Sequence, residues 1–216
     1  MDGNGRWAKA RGLPRTEGHR EGTENAKRIV KAASELGIRY LTLFVFSTEN
    51  WRRAADEVGF LMGLIRRHLV AEFDFYRNNR IRVLHSGDLG GLPADVAAEI
   101  RRTMDDTASF EGLTVNLAIN YGGRDEIVRA ARRVLAAGGA IDEAGLSAAM
   151  DRPEIPDPDL VIRTSAERRF SNFLLWEAAY AELWFSDRLW PDFGPADLAA
   201  AIDDYRGRER RFGGAP

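Results

Sequence analysis

Residues 36–61 read LGIRYLTLFVFSTENWRRAADEVGFL, and the fold turns on how this stretch is divided. Gly37 is a natural stop for the helix that residues from about Glu21 to Leu36 propose. Tyr40 to Phe46 is a short run of apolar, β-branched and aromatic residues, which reads as a buried strand. After a polar segment, Asp56 to about Asn79 forms the longest helical pattern, with Val58, Leu61, Ile65, Leu69, Phe73 and Tyr76 three or four residues apart. A strand set between two long helices needs a crossover connection, so the sheet should be largely parallel and covered by helices.

The same alternation runs outward to the end of the chain. Strands are expected at Ile81–Leu84, Leu113–Ile119, Leu160–Ile162 and Leu183–Phe185. Helices are expected from Pro93 to about Ala108, Arg124 to Ala137 and Ala196 to about Arg208. No repeat or Ser/Pro-rich linker divides the chain, so residues 1–216 are read as a single α/β domain with helices flanking a central sheet. Ligands of such folds sit beyond the carboxyl ends of the strands.

Composition narrows the chemistry. With no Cys, thiolate nucleophiles and Cys-based metal centres are excluded, and three scattered His make a His cage unsuitable. A net charge of −2 argues against a globally basic nucleic-acid surface. The longest apolar run falls far short of the roughly 20 residues of a membrane helix, and the opening MDGNGR has no apolar leader segment. The expectation is a cytoplasmic protein. Of 31 basic residues only Lys9, Lys27 and Lys31 are not Arg; a GC-rich genome explains most of that bias, but Arg also binds phosphate bidentately.

Three segments carry chemistry. In Asp2-Gly3-Asn4-Gly5-Arg6-Trp7, two Gly leave backbone N–H groups open to an anion, with an acid and an Arg beside them. A tight turn would use the same residues. Arg15, Gly18 and His19 lie just ahead of the first expected helix, whose N-terminus could add dipole support for an anion. Ser47-Thr48-Glu49-Asn50-Trp51-Arg52-Arg53 sits at a strand's carboxyl end, where hydrogen-bonding side chains meet a Trp and two Arg. A solvated loop is the plainer alternative. After the fourth strand, Arg163, Ser165, Arg168, Arg169 and Ser171 supply the charge and directional donors a diphosphate needs. Asp2 and Glu182 are hard oxygen donors suited to Mg2+, which keeps waters and bridges substrate phosphates. The apolar helix from Val58 to Tyr76 could suit a greasy tail, although its spacing alone favours ordinary core packing.

Taken together and in order, MDGNGRWAKARGLPR, Gly18-His19, FSTENWRR, Glu57-Val58, Gly87-Asp88, NYGGRDEI, PDLVIRTSAERRFSNFLLWEAAYAE, WPDF and RERRFGG resemble the cis-prenyltransferases, specifically the bacterial undecaprenyl diphosphate synthases. The resemblance covers essentially the whole chain, and no DDxxD pair of the all-helical trans enzymes is present. It implies a homodimer that adds isopentenyl diphosphate to an allylic diphosphate such as farnesyl diphosphate, with Z geometry. The product would be undecaprenyl diphosphate, precursor of the cell-wall lipid carrier. It implies that Asp2 holds Mg2+ and diphosphate, that Gly3, Asn4, Gly5, Arg6, Trp7 and Arg15 cradle the allylic diphosphate, and that His19 lies near. Ser47 and Asn50 would assist proton removal, Glu49 would help bind substrate, and Trp51, Arg53 and Glu57 would order a loop over the substrates. Arg163, Arg169 and Ser171 would bind isopentenyl diphosphate, Glu182 would be a second Mg2+ ligand, and Arg211 and Gly213 would reach the partner's site. A long polyprenyl product leaves for the bilayer, so peripheral membrane contact is in keeping with the resemblance.

The chain departs from the family pattern in places. Ala54 stands for a usual Pro, Ala166 for a usual Gly, and Val45 for a smaller Ala on a strand expected to line the product tunnel. Ala166 would strain its loop if the position needs positive φ; Val45 points to a shorter product, whereas Leu113 is bulky as in long-chain enzymes. A short- or medium-chain synthase and a non-catalytic partner subunit are the alternatives, and retention of Asp2, Arg163 and Arg169 opposes the latter. In relatives a central strand leads into the first motif, whereas Met1 is here the motif's own first residue. The expectation is that the first family strand is missing because the start was set late, which would leave Asp2 on a frayed end.

Overall fold

The structure, a computed structural model, describes residues 1–209. It is α/β with parallel strand pairing throughout, and it divides into two compact units. One comprises residues 33–155 and 171–174; the other comprises residues 1–32 and 156–170 and the chain from Leu175 onward.

In the unit holding residues 33–155, strands β1 (Tyr40–Ser47), β2 (Arg82–Ser86) and β3 (Thr114–Tyr121) form a parallel sheet in the order β1-β3-β2. Tyr40 and Arg82 both pair with Thr114, so the strands start level and deliver Ser47, Ser86 and Tyr121 toward one carboxyl edge. The β1 register slips between Phe44 and Phe46, which makes Val45 the extra residue of a bulge. The pattern that proposed one helix over 56–79 forms two, α3 (Ala55–Ala71) and α4 (Phe73–Asn78), because Glu72 (φ −97°, ψ 9°) leaves helical geometry. Helix α5 spans Ala94–Asp106. Phe46 and Ile119 from the sheet, Met62 and Leu69 from α3, and Val96, Ala97 and Ile100 from α5 make one buried cluster, against which Val45, Val58, Leu61 and Ile65 pack. The apolar face of α3 is thus built into packing of β1 and α5. At roughly 1.5–3 kcal/mol per fully buried large side chain, this cluster is a main source of the unit's stability.

A second network secures the edge of this sheet. Helix α6 (Gly123–Ala136) carries Arg129 and Arg133, which both pair with Asp151, and the Asp151 carboxylate also accepts from the Gly87 N–H at 2.8 Å. Burial alone would raise the Asp151 carboxyl, but hydrogen bonds from Arg129 and Arg133 outweigh it and hold it below the usual range. Glu126, also buried, accepts from the Tyr121 hydroxyl and from the Asp151 N–H. Helix α7 (Glu143–Ala148), which periodicity had not suggested, is a single capped turn and a half, its Asp142 side chain accepting from the Gly145 N–H.

The other unit contains α1 (Asn4–Ala10), most of α2 (Arg15–Glu35), the parallel pair β4 (Leu160–Arg163) and β5 (Glu182–Phe185), and α8 (Pro195–Arg206). Trp190 stacks on Phe193 and Trp184 meets Phe193 edge-on. Asn25, 1% exposed, fixes this aromatic group to α2 by donating to the carbonyls of Trp190 and Phe193. No helix among the described residues is long and apolar enough to cross a membrane.

Buried His85 donates from Nε2 to the Ile119 carbonyl, and burial pushes its imidazole down to about 4. Below the ordinary His value near 6.5 the unfolded chain gains a proton that the native state refuses, so stability is lost as pH falls from about 6.5 toward 4. Denaturant unfolding at pH 7 and pH 5 should show a loss of roughly 2 kcal/mol that His85→Gln removes. An identical loss in the variant would place the titration elsewhere.

Candidate active site

Asp2 is held through its backbone. Its N–H donates to Thr164 Oγ1 at 3.1 Å, and its carbonyl accepts from Ser165 Oγ at 2.6 Å and from the Trp190 N–H at 2.8 Å. The frayed end expected for this residue is therefore not what the structure holds. The carboxylate is aimed as well: Oδ1 accepts from the Gly3 N–H at 2.7 Å and Oδ2 from Arg163 Nη2 at 3.1 Å. Arg163 ends β4, and the loop that follows bonds to Asp2, so the first motif docks on the carboxyl end of that strand.

Two glycines make this approach possible. Gly3 has φ 102°, and a Cβ there would lie 2.3 Å from Ser165 Oγ. At Gly18, inside α2, a Cβ would lie 2.0 Å from the Asn4 carbonyl oxygen. The Gly-rich segment, for which a tight turn was the alternative to an anion-binding loop, is the start of α1, since the Trp7 N–H reaches the Gly3 carbonyl at 2.8 Å. Arg15 opens α2 and lies against Gly5, and His19 is buried one turn further on. Trp7 is committed to structure: its indole N–H donates to Asp192 Oδ1 at 2.8 Å and Arg11 covers its ring at 4.2 Å.

The arginines around Asp2 face carboxylates. Arg6 Nη1 donates to the Ser165 carbonyl, and its Nη2 lies 3.8 Å from Asp2 and 3.2 Å from Glu167. Arg169 pairs with the other oxygen of Glu167 at 2.5 Å, and Arg163 Nη1 donates to the Arg169 carbonyl at 3.2 Å. Asp2, Arg6, Arg163 and Arg169 thus share one locality, which the sequence reading had assembled from segments 160 residues apart. Glu167 was missed; its position between Arg163 and Arg169 in the same motif was the available signal.

Glu182 does not join them within this chain. It pairs with Leu160 at the start of β5, whereas Arg163 pairs with Phe185. Three residues along a strand separate the two levels by about 10 Å. The Glu182 carboxylate instead accepts from Arg208 Nη1 at 2.7 Å. Arg211 and Gly213 lie outside the described residues.

The second group of candidate residues is built on the carboxyl edge of β1. Ser47 and Asn50 cap the 3-10 turn Thr48–Arg52 reciprocally: Asn50 Oδ1 accepts from the Ser47 N–H, and the Ser47 hydroxyl accepts from the Asn50 N–H. Trp51 donates its indole N–H to Asn120 Oδ1 at 2.7 Å, and Asn120 (φ 51°) donates in turn to the Asp88 carbonyl. Glu49 accepts from Asn172 Nδ2 at 2.8 Å; burial opposes its charge, but that bond and its local donors win and hold its carboxyl below the usual range. Arg53 pairs with Glu57 at 3.0 Å. Ser171 (φ 50°) belongs with Asn172 to this unit, where the adjoining Phe173 stacks on Phe44. Asn120 and Asn172 were not singled out from sequence, although both stand inside motifs that were quoted.

A family model described as "Putative undecaprenyl diphosphate synthase" matches residues 1–213. The chain belongs to this family of prenyltransferases. An isoprenyl transferase of Treponema denticola is 54% identical over all of this chain and 95% of its own length. One from Treponema pallidum is 50% identical over 99% of this chain and 96% of that protein. Among solved structures, a lavandulyl diphosphate synthase from Lavandula x intermedia in complex with dimethylallyl diphosphate superposes with a TM-score of 0.94 at 37% identity, covering 99% of this chain and 95% of its own. A probable undecaprenyl diphosphate synthase from Campylobacter jejuni gives 0.83 at 38%, covering 89% and 92%. The α/β fold and the assignment as a prenyltransferase thus agree with the sequence reading.

Within this prenyltransferase the loop bearing Glu167 carries strain. Ala166 has φ 58° and Ser165 φ 75°, a region costly for residues with a Cβ. Ala166→Gly should therefore raise the unfolding free energy by about 0.5–1 kcal/mol, read as a higher urea midpoint; a lower midpoint would refute the strain. Gly18→Ala should act oppositely. The roughly 1 kcal/mol that Ala ordinarily gains in a helix is outweighed by the contact with the Asn4 carbonyl, so its melting temperature should fall.

Proposed function

We propose that this enzyme condenses isopentenyl diphosphate onto an allylic diphosphate, with Mg2+ and Z stereochemistry, to give undecaprenyl diphosphate. The observation that supports this reading best is the Asp2–Arg163 pair at the carboxyl end of β4, with Arg6 and Arg169 beside it. Two diphosphates bring more negative charge than a site of this size tolerates unless cations meet it, and guanidinium forks answer phosphate oxygens bidentately.

The residues present fit Mg2+ in a limited way. Each Asp2 oxygen has accepted one hydrogen bond and retains a lone pair, and the side chain is 40% exposed. Among the described residues no group of three His, Cys, Asp or Glu gathers into a cage. One carboxylate with waters and substrate phosphates is an ordinary way to hold Mg2+, and Asp2 would hold it here. The ion would neutralise charge that develops on the departing diphosphate.

In the condensation, the allylic C–O bond breaks and its electron pair leaves with the diphosphate. The double bond of isopentenyl diphosphate attacks the allylic carbon, and loss of the C2 proton forms the new double bond. Arg6, Arg15 and the N–H groups of the first motif would take the leaving charge, and Arg163, Arg169 and Ser171 would orient the isopentenyl diphosphate. A neutral amide is too weakly basic to take the proton, so Asn50 would orient the C2–H and the Ser47 hydroxyl, passing the proton to a phosphate oxygen or water.

Two copies are part of this proposal. Leu175, Tyr180 and Phe185 are exposed apolar residues close together in sequence, as a covered dimer face would need, and Arg211 and Gly213 would serve the partner's site. Release of a long polyprenyl tail would bring a cytoplasmic enzyme to the bilayer surface. A shorter product is the second reading, favoured by Val45. Its bulge position, like Val58, Leu61 and Ile65 of α3, packs against the buried cluster of the sheet, and a neighbour of the same fold carries the short dimethylallyl diphosphate.

Purified protein with farnesyl diphosphate, labelled isopentenyl diphosphate and Mg2+ should yield Z-polyprenyl products whose length thin-layer chromatography reads. Asp2→Ala should lower turnover by at least about 10²-fold with an unchanged fold; full activity would reject the role of Asp2. Mixing Asp2→Ala with Arg211→Ala subunits should recover activity that neither has alone, because one site of each mixed dimer keeps both residues. No recovery after verified subunit exchange would show that Arg211 acts in its own chain.

A further inference from the structure

Glu167 stands between two arginines that the proposed function gives to different substrates. Its Oε1 lies 3.2 Å from Arg6 Nη2, and its Oε2 lies 2.5 Å from Arg169 Nη1. Arg6 belongs to the first motif and Arg169 to the loop after β4, so one carboxylate bridges the two ends of the anion site. This is not the usual surface pair. Arg77–Asp74 and Arg206–Asp203 are local contacts of a helix with both partners well exposed, whereas the Glu167 side chain is only 22% exposed.

We infer that Glu167 is a built-in counter-anion of the diphosphate site, a positioning residue that presets Arg6 and Arg169 and weakens their hold on diphosphate so that it can leave. The inference rests on the reading of Arg6 and Arg169 as diphosphate ligands. Both arginine side chains remain half exposed or more, at 50% and 62%, so an incoming anion can approach them. It must then displace Glu167 or accept its repulsion. Three arginines (Arg6, Arg163, Arg169) are offset here by two carboxylates (Asp2, Glu167), which leaves one net positive charge where the same cluster without Glu167 would carry two. A repeated condensation releases one diphosphate per cycle, and an over-tight anion site would stall on it. The flanking positive φ at Ser165 and Ala166 places Glu167 directly after a strained turn.

A purely structural role and a counter-anion role predict opposite signs. If Glu167 only holds the arginines in place, its neutralisation weakens anion binding; if it competes with the ligand, neutralisation strengthens it. Inorganic pyrophosphate is the probe, titrated calorimetrically into the full-length protein with and without Mg2+. Glu167→Gln should bind pyrophosphate about five- to tenfold more tightly, the scale of one or two partly exposed ion pairs. The gain should shrink at high salt. In the condensation assay KM for isopentenyl diphosphate and kcat should fall together, with release slowed. Equal or weaker pyrophosphate binding by folded Glu167→Gln overturns the proposal. Should that variant fail to fold, Glu167→Asp, too short to bridge both guanidinium groups, should bind more tightly than wild type by a smaller factor, and equal or weaker binding overturns the proposal in the same way. Arg6→Ala and Arg169→Ala separate the two levels. If neither weakens pyrophosphate binding, the diphosphate reading itself fails and this inference with it. If both weaken it while Glu167→Gln does not strengthen it, only the role of Glu167 fails.

Discussion

The clamp on the Asp2 backbone is the constraint from which the arrangement of the arginine site follows. A carbonyl that accepts from Ser165 and from the Trp190 N–H cannot move without stranding these donors. It therefore fixes the direction in which the Asp2 side chain leaves the chain. The Gly3 N–H and Arg163 then determine which way each carboxylate oxygen faces. The requirement propagates outward: Gly3 must have no Cβ for Ser165 to approach, and Gly18 must have none for α2 to lie against the start of α1. The same clamp explains why the strained φ of Ser165 persists, since its N–H and hydroxyl are both engaged, with the Arg188 and Asp2 carbonyls.

The polar edge of β1 is ordered by a different device, amide side chains instead of backbone clamps. Asn120 and Asn172 both have positive φ, a conformation Asn adopts at lower cost than most residues. Each then uses its side chain on the segment after β1: Asn120 accepts from Trp51, and Asn172 donates to Glu49. The turn between them is closed internally by Ser47 and Asn50. The segment is thus held at three hydrogen-bonded points. Glu49 and Trp51 therefore owe their positions to Asn172 and Asn120, whereas Ser47 and Asn50 position each other.

The strands were legible because burial on both faces forces β-branched and aromatic runs, and all five appeared within two residues of their expected limits. The parallel pairing followed from the helices between them. What periodicity did not reveal was short or local. Helix α1 begins on glycines that ordinarily break helices, α7 is too short to show a repeat, and the break at Glu72 involves a residue with good helix propensity. Ion-pair partners escaped for another reason. Charged residues carry no periodic signature of whom they face, so the resemblance could name Asp2 and Arg163 as site residues, whereas their pairing, and Glu167 bridging Arg6 and Arg169, required coordinates. The separation of Glu182 from Arg163 is likewise a matter of strand register, which no spacing along the chain encodes.

The excess of Arg over Lys, 28 to 3, gains a physical meaning at some of these positions and not at others. Arg77, Arg80 and Arg206 make exposed pairs worth little, for which Lys would serve as well. Arg129 is different, since it donates to both Asp125 and Asp151 from a largely buried position, and a single ammonium could not span that geometry. Arg163 is different again: one nitrogen serves the Asp2 carboxylate and another the Arg169 carbonyl, so the guanidinium plane is fixed before any anion arrives. A Lys there could keep the charge but would lose the orientation. Among the many arginines, the fold gives a directional role to those whose guanidinium engages two different partners at once, as at Arg129 and Arg163.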